Sequence, residues 1–485
     1  MSNMGSPTPQ LHIFFLPFMA QGHMTPVVDM ARIFASRGVK STIVTTPINA
    51  GLYEKTIQRS KDMGMEIGLL LVNFPSAEVG LPEGCENLNQ ASSLEMQGKI
   101  FQAATLLEHP VDKLLHEHHP DCIMADMFFP WASDAGIRYG IPRLVFHGSG
   151  FFALCASLCL LRYQPHKKVL SDSEPFAIPN FPDEIKLTRN QLPDFIKQEV
   201  ETDFIKLYRA VKESELRSYG TIVNSFYEIE PAYADHYRKV LGRRAWHIGP
   251  VSLFNRDDED KAQRGNEISI NEHECLTWLN SKRPNSVVYI CFGSVANFSD
   301  TQLMEIATGL EASGQQFIWV VKKEKKNEGK EEWLPEGFEK RMEGKGLIVR
   351  GWAPQLLILD HKAIGGFVTH CGWNSVLEAV SAGVPMVTWP IAAEQFYNEK
   401  VVIQVAKIGV AVGVQQWARL EGDSIKSEAV HKAIRQIIEG EEAEEMRNRA
   451  RELGKMARKA VEEGGSSYTD LTSLIEELKS LFSQS

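Results

Sequence analysis

The chain has 485 residues, of which 43% are hydrophobic and 24% charged, with a formal net charge of −10 and a pI near 5.8. That is the make-up of a folded globular protein of roughly two to four domains. It weighs against a nucleic-acid binder, which presents a basic face or stripe. No segment reaches the about 18 consecutive apolar residues of a membrane helix, so no integral membrane segment is expected.

The first ten residues are rich in Ser, Pro and Gly and read as loose. The apolar run 11–18 is too short for a span and lacks the basic flank and cleavage site of a secretory signal. Seven cysteines in no disulfide or zinc spacing point to a reducing, cytoplasmic setting. Residues 11–17 predict a buried strand, 26–38 a helix with Pro26 in its first turn and Gly38 at its end, and 39–46 a second strand. Strand, helix and strand of these lengths make a βαβ unit and predict a parallel sheet.

The apolar run Cys122 to Ala125 predicts another strand. The pattern returns in the second half. Strands are predicted at 286–292, 316–321, 347–350, 366–369 and 385–389, with helices at 300–313 and 375–382. Between the halves, residues 255–265 are polar and charged and read as a linker. The charged run 322–332 reads as a solvated loop, and 441–481 as helical with a break near Gly464 and Gly465.

The informative stretch runs from Trp352 to Gln395. The turn His370-Cys-Gly-Trp-Asn-Ser375 joins a strand's C-terminal end to a helix N-terminus, where free amides and the helix dipole attract anions. Gly372 permits close backbone approach, and His370, Asn374 and Ser375 can donate to phosphate oxygens. Glu378 lies one turn further along the same helix face, where a carboxylate can accept from ribose hydroxyls. Trp352 offers a plane for a base, and Glu394 and Gln395, after another strand, suit sugar hydroxyls.

His23 follows the first strand, at a sheet edge, and Asp126 ends the 122–125 run, another strand end. An imidazole titrating near neutral pH can take a proton from a hydroxyl, and a carboxylate can fix its tautomer. The two converge only if their strands are neighbours. His116-Glu-His-His119 fits no zinc spacing and reads as solvated. Asp258-Glu-Asp260 lies in the linker, away from any strand end, and is not read as a metal site. No G-x-G-x-x-G follows the first strand, which argues against a dinucleotide oxidoreductase.

Residues 352–395 resemble the signature box of plant secondary-product UDP-glycosyltransferases, glycosyltransferase family 1, and the similarity extends along the chain from 18–26 onward. The resemblance implies a GT-B fold, two Rossmann-like β/α/β domains facing across a cleft, with metal-independent, inverting transfer. The expected domains are 1–250 for the acceptor, a linker at 251–270, 271–460 for the UDP-sugar, and a C-terminal helix, 461–485, packing back on the N-terminal domain. Position by position, Trp352 would stack on uracil and Ala353 would bond it through backbone. Gln355 and Glu378 would face the ribose. His370, Asn374, Ser375 and Ser294 would hold the diphosphate, Trp373, Glu394 and Gln395 the sugar, and Gly22 would join the donor contacts. His23 would be the general base and Asp126 its orienting partner.

A terminal Gln in the box resembles glucose users, whereas galactose users carry His. Glu394 departs from the Asp of many members. UDP-glucose is then the co-substrate, with no other cofactor, no metal and a monomeric protein expected. The acceptor is a small lipophilic molecule, a flavonoid or other phenolic or a terpenoid or steroid, in a pocket lined by segments near 75–95 and 145–205. Phe128, Trp131 and the run Phe151 to Leu154 supply apolar lining. The rival reading is a catalytically silent UDP-sugar-binding protein of the same fold.

Overall fold

A computed structural model describes residues 10–197, 200–262, 264–265, 269, 272–294, 296–323, 333–418 and 423–482. The loose N-terminal residues 1–9 and most of the charged run 322–332 lie outside them. The chain divides into two compact units. The first comprises Met1–His147, Thr202–Ile222 and Thr469–Ser485, the second Gly148–Glu201 and Val223–Tyr468.

Strands β1 (His12–Leu16), β2 (Lys40–Thr45), β3 (Ile67–Leu71), β4 (Cys122–Asp126) and β5 (Arg143–Phe146) precede a short hairpin, β6 (Phe176–Ala177) and β7 (Lys186–Leu187). Strands β8 (Gly220–Val223) and β9 (Ala245–His247) follow. The first sheet runs β3-β2-β1-β4-β5-β8-β9, and its pairs from β3 to β8 are parallel. Its strands are nearly continuous apolar runs because parallel sheets are covered on both faces. Phe14, Leu16, Ile123 and Ala125 pack with Ile100, Ala103 and Ala132 of the helices over one face.

The second sheet contains β10 (Val287–Cys291), β11 (Gln316–Val321), β12 (Gly346–Arg350), β13 (Ile364–Thr369), β14 (Met386–Thr388) and β15 (Gly409–Ala411). Its order is β12-β11-β10-β13-β14-β15, again all parallel. Val288, Ile290, Trp319 and Val368 form its core with Leu303, Ile306 and Ile434. In each sheet the strand order reverses once, between β1 and β4 and between β10 and β13. Ligands of open α/β sheets bind outside the strand ends at such reversals.

Two local readings change. The first helix spans Gln21–Ser36, so Pro26 is inside it rather than at its start. Ala20 supplies no side-chain cap, so the sequence carries no start signal there. Residues 255–265, read as a linker, are partly helical. They contain the helix Asp258–Ala262, whose Asp260 and Ala262 are buried, and Lys261 pairs with Asp360 at 2.8 Å.

The C-terminal helices are Ala443–Val461 and Ser466–Phe482. Within the first unit, Tyr219 Oη donates to Glu477 Oε1 at 2.5 Å. No helix among the described residues is long and apolar enough to cross a membrane.

Candidate active site

In the first unit, β1 and β4 are direct neighbours, with Leu16 opposite Ala125. The helix after β1 therefore brings His23, in its first turn, to Asp126 at the end of β4. His23 Nδ1 and Asp126 Oδ2 are 2.6 Å apart; the His23 side chain is 22% exposed and the Asp126 side chain 0%. Asp126 Oδ1 accepts the Phe128 amide at 3.0 Å, and its backbone carbonyl accepts Arg143 Nη2 at 3.1 Å. Burial lowers the Arg143 guanidinium to about 10, which leaves it charged at neutral pH. Asp126 is thus held at both its carboxylate and its backbone. With Nδ1–H donated to the carboxylate, the ring's lone pair lies on Nε2.

Aromatic rings surround this imidazole. Phe18, Phe128 and Phe146 lie with ring centroids 5.8, 5.7 and 6.5 Å from His23. The half-buried Phe101 stacks on Phe18 at 5.1 Å and meets Phe204 at the same distance. Of these, Phe18 and Phe101 fall outside the segments predicted for the acceptor. The run Phe151 to Leu154 is instead core: all four residues are 4% exposed or less, and Phe152 packs on Tyr233 and Phe181. Gly22, also in the first unit, is exposed, and a Cβ there would meet nothing within 4 Å.

The second unit holds the turn His370–Ser375, read from sequence as anion-binding. The helix Trp373–Ala382 starts three residues after β13, so the amides of Trp373, Asn374 and Ser375 have no intrahelical acceptor. The His370 ring is gripped by two glycine backbones. A Cβ at Gly293, where φ is +73°, would lie 2.6 Å from it, and one at Gly372 would lie 2.5 Å away. Gly372 therefore serves the approach of His370. Burial, with a smaller contribution from Lys322, lowers His370 to about 4, so the ring is neutral at pH 7. Among the described residues its buried Nδ1 has no protein partner.

Asn374 Oδ1 accepts from Asn224 Nδ2 at 3.3 Å, which turns its NH2 to the donor role. Ser294 follows β10, and its carbonyl accepts from Lys322 Nζ. Gln355 Nε2 donates to Ser375 Oγ at 3.2 Å and to Glu378 Oε2 at 2.6 Å. Ala353 is buried and Trp352 half-buried; the Trp352 amide donates to Ser269 Oγ and the Trp352 carbonyl accepts the Ser269 amide, both at 2.8 Å.

The Trp373 side chain departs from its expected role. It is 2% exposed, and its indole N–H donates to the Asn224 carbonyl at 2.7 Å. It fills core, and the group it can offer a sugar is its backbone N–H. Asn398 Nδ2 donates to Glu394 Oε1 at 3.1 Å. The Gln395 side-chain oxygen accepts the amides of Ile391 and Ala392 at 2.8 and 2.9 Å, so its NH2 is the end available to a ligand.

The profile of the family described as "UDP-glucoronosyl and UDP-glucosyl transferase" matches residues 245–450. A flavonoid 3-O-glucosyltransferase of Fragaria ananassa is 59% identical over 482 residues, covering 97% of each chain. The chain belongs to the plant UDP-glycosyltransferases. A scopoletin glucosyltransferase of Nicotiana tabacum is 56% identical over 97% of this chain and 98% of its own.

Among solved structures, a Glycyrrhiza uralensis glycosyltransferase complexed with glycyrrhetinic acid 3-O-monoglucuronide superposes with a TM-score of 0.92 at 44% identity, covering 98% of this chain and 97% of the other. A Medicago truncatula enzyme complexed with UDP-glucose gives 0.78 at 26% identity, covering 97% and 98%. The fold is GT-B, with two Rossmann-like domains, and the protein is an enzyme of the glycosyltransferase type.

Three residues of this UDP-glycosyltransferase site escaped the sequence reading. Arg264 forms an ion pair with Glu378, their side chains 11% and 5% exposed. Asn398, 1% exposed, also donates to the Cys371 carbonyl at 2.8 Å and so ties the phosphate turn to Glu394. Arg143 supports Asp126. No sequence signal marks Arg264, because charge runs are ordinarily solvated. Among the described residues no group of three or more His, Cys, Asp or Glu is arranged to hold a metal. The residues 116–119 are exposed.

Proposed function

We propose that this UDP-glycosyltransferase transfers glucose from UDP-glucose to a hydroxyl of a small lipophilic acceptor, phenolic or terpenoid, with inversion. The observation that carries the reading is the 2.6 Å contact between His23 Nδ1 and Asp126 Oδ2 beside an aromatic wall. The names of the similar proteins agree in acceptor class, being a flavonoid and a scopoletin glucosyltransferase.

The acceptor hydroxyl gives its proton to His23 Nε2 while its oxygen bonds the anomeric carbon. The bond from that carbon to the UDP oxygen breaks, and UDP leaves with the electron pair. Asp126 stabilises the imidazolium as it forms. His370 and the amides of the helix start receive the charge developing on the diphosphate. A single displacement inverts the anomeric carbon. No step in this scheme requires a metal, and turnover is expected to persist in a chelator. Trp352 and Ala353 take the base, Gln355 and Glu378 the ribose, and Glu394 and Gln395 the sugar hydroxyls.

The test is product formation from UDP-glucose with flavonols, simple phenols and triterpenoid aglycones, comparing wild type with His23→Ala. Wild type should form a glucoside, and the variant should lose about 10²–10⁴-fold in rate. A variant as active as wild type would overturn the assignment of the base. Binding of UDP without any product from wild type would favour the catalytically silent reading.

A further inference from the structure

The loop 391–395, between β14 and the helix Gln395–Lys400, is held from three directions. Gln395 accepts two of its amides, and Asn398, which also donates to the Cys371 carbonyl, holds Glu394. The third hold is Trp417, 5% exposed. Its indole Nε1 donates to the Ala393 carbonyl at 3.0 Å, and the next amide, Ala418, donates to the Ile391 carbonyl at 2.9 Å. Ala393 sits at φ +48°, in the left-handed region that disfavours any side chain. Its conformation persists because the surrounding bonds impose it.

The same tryptophan reaches the other way. Its backbone N–H donates to the Asn190 carbonyl at 2.8 Å, and its ring meets Phe195 edge-on at 6.5 Å and 87°. Asn190 and Phe195 lie in the 145–205 stretch read from sequence as acceptor-lining. One buried side chain therefore joins the loop carrying Glu394 and Gln395 to a segment on the acceptor side.

The geometry points to Trp417 as a positioning residue that sets sugar discrimination and passes changes in the acceptor-side segment to the sugar loop. The inference rests on the proposal that Glu394 and Gln395 face the sugar. Without the indole N–H, the Ala393 carbonyl loses its donor and the 393–394 peptide can leave the left-handed region. Glu394 then no longer holds one orientation towards the sugar hydroxyls. UDP carries no sugar and is indifferent to the change.

The test uses full-length Trp417→Phe, which keeps a six-membered ring at this position and removes the N–H donor with the rest of the indole. Three quantities are measured: the Kd for UDP, kcat/KM with UDP-glucose, and kcat/KM with UDP-galactose on one acceptor. The expected UDP Kd stays within about twofold of wild type, while the glucose-to-galactose ratio falls about fivefold or more, the worth of one hydrogen bond. Phe195→Ala, which leaves the donor loop intact, should lower the same ratio and decides the matter if Trp417→Phe does not fold. An unchanged ratio at wild-type turnover overturns the inference alone. A parallel loss of UDP affinity makes Trp417 a general support of the fold and also overturns it. A wild type that binds UDP yet uses neither sugar donor fails the proposed function instead, and this inference with it.

Discussion

His23 and Asp126 lie 103 positions apart and meet at 2.6 Å because β1 and β4 are hydrogen-bonded neighbours where the first sheet reverses its strand order. In the proposed mechanism one carboxylate oxygen holds Nδ1–H so that Nε2 keeps its lone pair, while the other accepts the Phe128 amide. Asp126→Asn preserves shape but can present an amide donor to Nδ1 and so select the wrong tautomer. It is expected to lower kcat by about 10³–10⁴-fold while leaving the Kd for UDP unchanged. Steady-state kinetics beside calorimetric UDP titration checks this; a loss below about tenfold would show that the pair does not govern proton transfer.

Arg264 and Glu378 form a nearly buried ion pair, with Gln355 donating to the second carboxylate oxygen. Removing the guanidinium leaves a buried carboxylate with an amide alone. Arg264→Ala should cost about 3 kcal/mol in urea unfolding, and adding Glu378→Gln should recover most of it. Additive losses in the double variant would mean that the two side chains do not support each other.

Glu399 is buried behind the phosphate turn, accepts Thr388 Oγ1 at 2.7 Å, and is pushed up to about 7 by burial. Its unfolded value is about 4.3. The folded state therefore keeps its proton longer, and this contribution to stability is lost as pH rises from about 4.3 through about 7. Glu399→Gln removes the titration. Its melting temperature relative to wild type should rise between about pH 5 and pH 8. The variant difference isolates this effect from His370, lowered to about 4, whose contribution has the opposite sign and is lost on acidification. Parallel melting curves across that range would exclude Glu399 as a source of pH dependence.

Much of the donor half was legible because its signals are local. A buried strand, a turn with a glycine and a helix opening on Asn374 and Ser375 lie within twenty residues, and β13 and the helix Trp373–Ala382 fall where that pattern put them to within two residues. The start of the first helix was not legible, since nothing caps Gln21 and Pro26 gave the stronger local signal. The run Phe151 to Leu154 looked like lining, and the resemblance put Trp373 at the sugar, but an aromatic residue reads the same in a core as in a pocket. Whether it is covered depends on segments far along the chain, here Asn224 for Trp373 and Tyr233 for Phe152.

Residue order alone thus carried the two α/β halves, which follow from short-range periodicity and turn composition, and the family, which follows from the likeness of residues 352–395 to the signature box. Tertiary structure decided which strand ends became neighbours, which aromatics were buried, and that the charged segment read as a linker places Arg264 on Glu378. Those outcomes depend on burial and on contacts between distant segments, and neither is encoded within the reach of a single helix or turn.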